Sequence, residues 1–121
     1  APIAAFTCGR EWLAALREYL WANRRFAEDY IKREIKGISA VSARATYLLW
    51  LDCRNIIGNG TESCRFIRSH RGICLSYGNA YRNGEGFLRM NLACPRKQVE
   101  DGLIRLKESV PAYEAWVCRQ C

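Results

Sequence analysis

Gly84-Glu-Gly-Phe-Leu-Arg-Met-Asn-Leu-Ala-Cys-Pro-Arg96 is the stretch on which the reading of this chain turns. It opens on a glycine turn, continues as a strand and ends on a proline that starts a helix. Phe87, Leu88, Met90, Leu92 and Ala93 make the strand almost wholly apolar, which predicts cover on both faces. Arg89 and Asn91 interrupt it two residues apart, so they point to the same side. An arginine and an asparagine in such company need a structural or a chemical reason.

The composition narrows the choice. The chain has 121 residues, enough for one domain, and is 50% hydrophobic and 12% aromatic, as a folded globular chain is. No apolar run approaches the roughly 18 residues of a membrane span. The chain begins at Ala1 without methionine, which fits a processed product or an excised piece of something longer. The net charge is +7, from 19 Lys and Arg against 12 Asp and Glu. The basic residues are scattered among acids and form no ribonucleoprotein signature or basic tract, so no nucleic-acid partner is expected.

Seven cysteines are an odd number, and Cys53, Cys74 and Cys94 lie within apolar segments, where a free thiol acts as a small hydrophobe. A reduced, cytoplasmic protein is expected. Cys118 and Cys121 have a ligand-like spacing but no second pair, and one histidine, His70, does not complete a zinc set, so no metal is expected.

Outward from the central stretch, apolar residues at three- and four-residue steps predict a long helix from about Gly9 to Lys36. Thr7 is placed to cap it and Gly37 to end it. Ile38 to Val41 and Thr46 to Cys53 predict an antiparallel hairpin, the second strand buried on both faces because it lacks alternation. Gly58-Asn59-Gly60 breaks the chain, and the glycosylation match at Asn59 is a chance one in a cytoplasmic reading. A helix capped by Thr61 runs to about His70, with Cys64, Phe66 and Ile67 inward and Gly72 as its stop. Ile73 to Ser76 is a short strand, and Tyr77 to Gly86 is a loop. That loop lacks the ending of a phosphate-binding loop and the spacing of a dinucleotide-binding one. After Pro95, Val99, Leu103, Leu106 and Val110 line a helix to about Ser109, which Pro111 kinks or restarts. The expected architecture is α+β, a single domain over 1–121. A small three- to four-stranded, mostly antiparallel sheet packs against helices, with a long N-terminal helix.

Three strings in this order resemble one family. They are Gly9-Arg-Glu-Trp-Leu-Ala-Ala-Leu-Arg-Glu-Tyr-Leu20 with Asn23 and Phe26, Ala45-Thr-Tyr-Leu-Leu-Trp-Leu-Asp-Cys-Arg54, and the central stretch itself. They resemble the C-terminal small domain of fold-type I enzymes that use pyridoxal phosphate (PLP). The match is to the C–S lyase (cystathionine β-lyase) branch of the class I/II aminotransferase family. The resemblance implies a PLP-dependent β-lyase that releases a thiol, pyruvate and ammonia, or an aminotransferase with the same substrate grip. It implies that Arg89 binds the α-carboxylate of an amino-acid substrate, with Asn91 as a possible support. A strand arginine paired with Glu85 or Asp52 is the structural alternative, and for Asn91 a structural role is preferred. The family's Schiff-base lysine belongs to the large domain, and Lys32, Lys36, Lys97 and Lys107 lie at solvent-like helix positions. The resemblance therefore implies no catalytic or cofactor-binding residue here, PLP held by an absent large domain, and no turnover by the chain alone. It implies two partners, that large domain and a second subunit of a homodimer. The readings from other classes are a stand-alone basic binding module and a protein-interaction module.

Overall fold

The structure is a computed structural model that describes residues 2–43, 45–56 and 60–120. Ala1, Gly58, Asn59 and Cys121, on which some of the expectations above rest, lie outside the described residues.

Helix α1 (Pro2–Cys8) meets α2 (Arg10–Glu34) at Gly9. Thr7 is therefore not a cap. It lies inside α1, where its hydroxyl donates back to the Ile3 carbonyl at 2.8 Å. Gly9 takes the N-cap position of α2 without any side-chain cap. At the other end Gly37 has φ +80°, the left-handed conformation that lets the chain leave the helix.

Strands β1 (Ser39–Ala40) and β2 (Leu48–Asp52) form the expected antiparallel pair, with Ala40 opposite Leu51. Helix α3 (Gly60–Arg71) buries Cys64, Phe66 and Ile67 and stops at Gly72, where φ is +67°. It starts one residue before Thr61, which is a helical residue and not its cap. Strand β3 (Ser76–Tyr77) lies later than the sequence pattern suggests, because Ile73 is drawn into the core. Strand β4 (Phe87–Asn91) follows a short 3₁₀ turn at Gly78–Ala80. The sheet order is β1-β2-β4-β3, and every pairing is antiparallel.

Neither central strand is covered on both faces. Burial alternates along β2 and β4, so Leu49, Leu51, Leu88 and Met90 point inward while Trp50, Phe87 and Arg89 stay half-exposed. The helices pack on one side only. Ala27 and Ile31 of α2, Phe66 and Ile67 of α3, and Val99, Leu103 and Leu106 of α4 (Arg96–Cys118) join the inward strand residues in one core. Gly102 lets α4 lie close to β4, since a Cβ there would stand 3.0 Å from Cε of Met90. Aromatic and aliphatic types at the outward positions hide the alternation from a reading by residue type.

Helix α4 runs through Pro111 without a restart. Proline removes one N–H from its ladder, and beyond it Tyr113 and Trp116 pack against Phe66. The middle of α2 secures the start of α4. Asn23, fully buried, donates to the carbonyls of Leu92 and Cys94, both at 3.0 Å. The Tyr19 hydroxyl accepts the first helical N–H of α4, from Arg96, at 2.8 Å. Three residues of the central stretch are thereby fixed by one helix.

Candidate functional site

The uncovered face of the sheet carries the candidate site. Arg89 stands at its middle, in register with Trp50 on β2 and Ser76 on β3. Its Nη1 donates to the Tyr81 hydroxyl and its Nη2 to Ser76 Oγ at 3.3 Å. The guanidinium carbon lies 5.0 Å from the Tyr81 ring centroid, a cation–π distance. Trp50 meets Tyr81 edge to face at 5.3 Å and Phe87 at 6.4 Å, so three aromatic rings flank the arginine.

The loop that carries Tyr81 is built by backbone contact. A Cβ on Gly78 would collide with the Gly84 carbonyl, so only glycine allows the two strands of the loop to touch there. The Tyr81 N–H donates to Gly78 at 2.8 Å and the Gly84 N–H to Tyr81 at 3.2 Å. These two N–H groups, with that of Phe87 just beyond the loop, are thus spent on loop carbonyls. The loop thus brackets Tyr81 by contact between its own backbone segments.

The structural alternative for Arg89 does not occur. Asp52 is taken by Arg54, with N···O distances of 2.9 and 2.7 Å, and the bond holds its carboxyl below the usual carboxylate range. Glu85 is exposed and makes no ion pair among those described. The chain's deeply buried arginine, Arg24, shows the contrast: it is 3% exposed and its Nε meets the Glu28 carboxylate at 2.9 Å. Arg89 has neutral partners only, among the described residues.

Asn91 lies on the Arg89 face, as its spacing implies, but the two are not hydrogen-bonded to each other. Its Oδ1 accepts from the Ala93 N–H at 2.8 Å, an Asx-type turn that ends the strand. Tyr81 and Ser76 are the members of the cluster that residue spacing does not reveal. Ser76 becomes visible only once the β3–β4 register is known, and Tyr81 only once the loop folds back.

Lys107 pairs with Glu34 at 2.7 Å on the helical side, and Lys32, Lys36 and Lys97 are exposed on helices or their ends. None stands on the open sheet face. No group of three metal-ligating side chains occurs among the described residues. His70 stacks on Phe66 at 4.0 Å at the end of α3.

A one-sided antiparallel sheet backed by helices, with an arginine set among aromatics on its open face, defines a class: a small α+β domain. Comparison with known proteins gives the particular relationship. No protein-family model matches the chain. It is 33% identical over 115 residues to the protein MalY of Escherichia coli, a match spanning 93% of this chain and 29% of that protein. With the cystathionine β-lyase PatB of Bacillus subtilis it shares 31% identity over 108 residues, 88% of this chain and 28% of the relative. A solved structure of the PLP-bound C–S lyase of Staphylococcus hominis, complexed with the inhibitor L-cycloserine, superposes with TM-score 0.81 at 29% identity. That superposition covers 88% of this chain and 27% of the lyase. The chain is similar to one segment of each of these proteins, and it spans less than a third of their length.

Proposed function

We propose that this chain is the C-terminal small domain of a longer PLP-dependent C–S β-lyase, and that Arg89 grips the α-carboxylate of its amino-acid substrate. The observation that carries the reading is the state of Arg89. It is a half-buried guanidinium on an uncovered sheet face, held by two hydroxyls and, among the described residues, by no carboxylate. A planar guanidinium takes a carboxylate through two parallel N–H···O bonds, which fixes orientation as well as charge. Orientation is what a lyase needs, because only a correctly presented Cα–H and Cβ–S bond react. The names of the relatives support a cystathionine-like, S-substituted cysteine as substrate, with a thiol, pyruvate and ammonia as products.

PLP, when bound by a large domain, supplies the electron sink for that elimination. The part of this chain is to bind and orient. Asn91 acts in the same reading as the residue that ends the strand beside Arg89. The partners are the large domain and a second subunit. Their support is the apolar surface of α1 and the start of α2, where Phe6 is 89% and Trp12 69% exposed. The free thiols of Cys8, Cys53, Cys64, Cys74, Cys94 and Cys118 suit a reducing, cytoplasmic setting.

The test is R89A in the full-length protein, assayed for pyruvate release from cystathionine. Losing two charge-assisted hydrogen bonds lowers kcat/KM by roughly 10²-fold, while PLP absorbance stays as in the wild type. An unchanged kcat/KM overturns the carboxylate assignment. Keto acid formed only in the presence of a second, accepting keto acid replaces the lyase by an aminotransferase.

A further inference from the structure

We infer that Tyr81 and Ser76 are positioning residues for Arg89, aiming its guanidinium fork before a substrate arrives; the inference rests on the reading of Arg89 as the carboxylate grip. The two terminal nitrogens are held from two separate elements. Nη2 reaches Ser76, its cross-strand partner on the edge strand β3, at 3.3 Å. Nη1 reaches the hydroxyl of Tyr81, which comes from the glycine-built loop. The Tyr81 ring also lies against the guanidinium, 5.0 Å from centroid to carbon, and Trp50 braces that ring edge to face.

Both partners are neutral, and that is the chemical point. A carboxylate in either place would aim the arginine equally well but would cancel its charge and occupy the fork that a substrate needs. This is the arrangement of Arg54 with Asp52 and of Arg105 with Asp101. A hydroxyl accepts one hydrogen bond and leaves the charge intact. A guanidinium has five N–H donors, and the two hydroxyls use two of them, so enough remain for a bidentate carboxylate. Fixing a long, flexible side chain in advance lowers the entropy lost on binding, which appears as a lower KM.

The experiment uses the full-length protein with Y81F, S76A, S76T, R89A and the double variant Y81F/R89A, each checked by thermal melting. Y81F keeps the ring and its packing and removes only the hydroxyl. KM for cystathionine is expected to rise roughly three- to tenfold in Y81F and in S76A, the effect of one hydrogen bond to a charged group, with kcat within about twofold. S76T, which keeps a hydroxyl, returns KM toward the wild-type value. In the R89A background Y81F adds nothing, because the residue it acts through is gone. An unchanged KM in Y81F, or the same penalty with and without Arg89, overturns the positioning role while the R89A result keeps the carboxylate grip. If R89A alone leaves kcat/KM unchanged, the grip itself fails and the positioning role falls with it.

Discussion

A guanidinium held by hydroxyls keeps its charge for a ligand, and one held by a carboxylate does not. That difference separates Arg89, half-exposed on the open sheet face, from the buried Arg24. At the same scale, Asn23 ties α2 to the backbone between β4 and α4. N23A leaves the buried carbonyls of Leu92 and Cys94 unpaired, and destabilisation of roughly 2–3 kcal/mol is expected in urea unfolding. A cost below about 0.5 kcal/mol removes Asn23 from the hinge between β4 and α4. The thiols behave by burial. Desolvation pushes Cys53 up to about 12 and Cys64 up to about 11. In the unfolded chain both return to the ordinary thiol range near 8.5. The folded state therefore binds these protons more tightly, and its advantage is complete below that range and lost as pH rises through it toward the folded values. Thermal melts should fall above about pH 9, and alkylation at pH 8 should mark Cys8, Cys74 and Cys118 before Cys53 or Cys64. Labelling of Cys53 at the rate of Cys118 contradicts the buried placement.

Among the elements, α4 is the one that departs most from local rules. Pro111 sits on its exposed side, inside the helix, and the apolar face continues past it. Its cost is carried by the aromatic contacts of Tyr113 and Trp116 with Phe66. P111A restores an N–H and a better helix former, and a gain of about 1–3 kcal/mol is expected, read as a higher Tm. A lower Tm in P111A indicates that the proline shapes the helix end against something it packs on. Helix α2 behaves differently, since its middle is fixed into the domain by Tyr19 and Asn23 while its start projects with Trp12 and Leu13 exposed.

At the scale of the whole molecule, two surfaces lack cover: the apolar start of α2 with α1, and the open sheet face. A chain of this length that leaves Phe6, Trp12 and Leu13 in water is expected to self-associate. Light scattering on the 121-residue chain should show particles larger than a monomer, and W12E/L13E should return them to monomer size. A monomer at high concentration with no binding of an apolar dye counts against the covered-surface reading. Turnover by this chain alone, with PLP and cystathionine added, would contradict the division of the site between two domains.

Much of this was legible from residues in order. The 3.6-residue period marked α2 and α4, glycines marked the ends of α2 and α3, and the string from Gly84 to Arg96 marked a strand with Arg89 and Asn91 on one side. Local pattern reaches that far because helix faces and strand alternation depend on neighbours within a few residues. It failed where residue type misled. Phe87 and Trp50 are apolar yet lie on the open face, Phe87 beneath the Arg54 guanidinium at 5.1 Å and Trp50 edge-on to the rings of Tyr81 and Phe87. Thr7 and Thr61 looked like caps and are helical residues. What only the tertiary structure decided is which groups surround Arg89. The β3–β4 register brought Ser76 to it, and two glycines in contact brought Tyr81. Both depend on packing between segments that the order of residues does not place side by side.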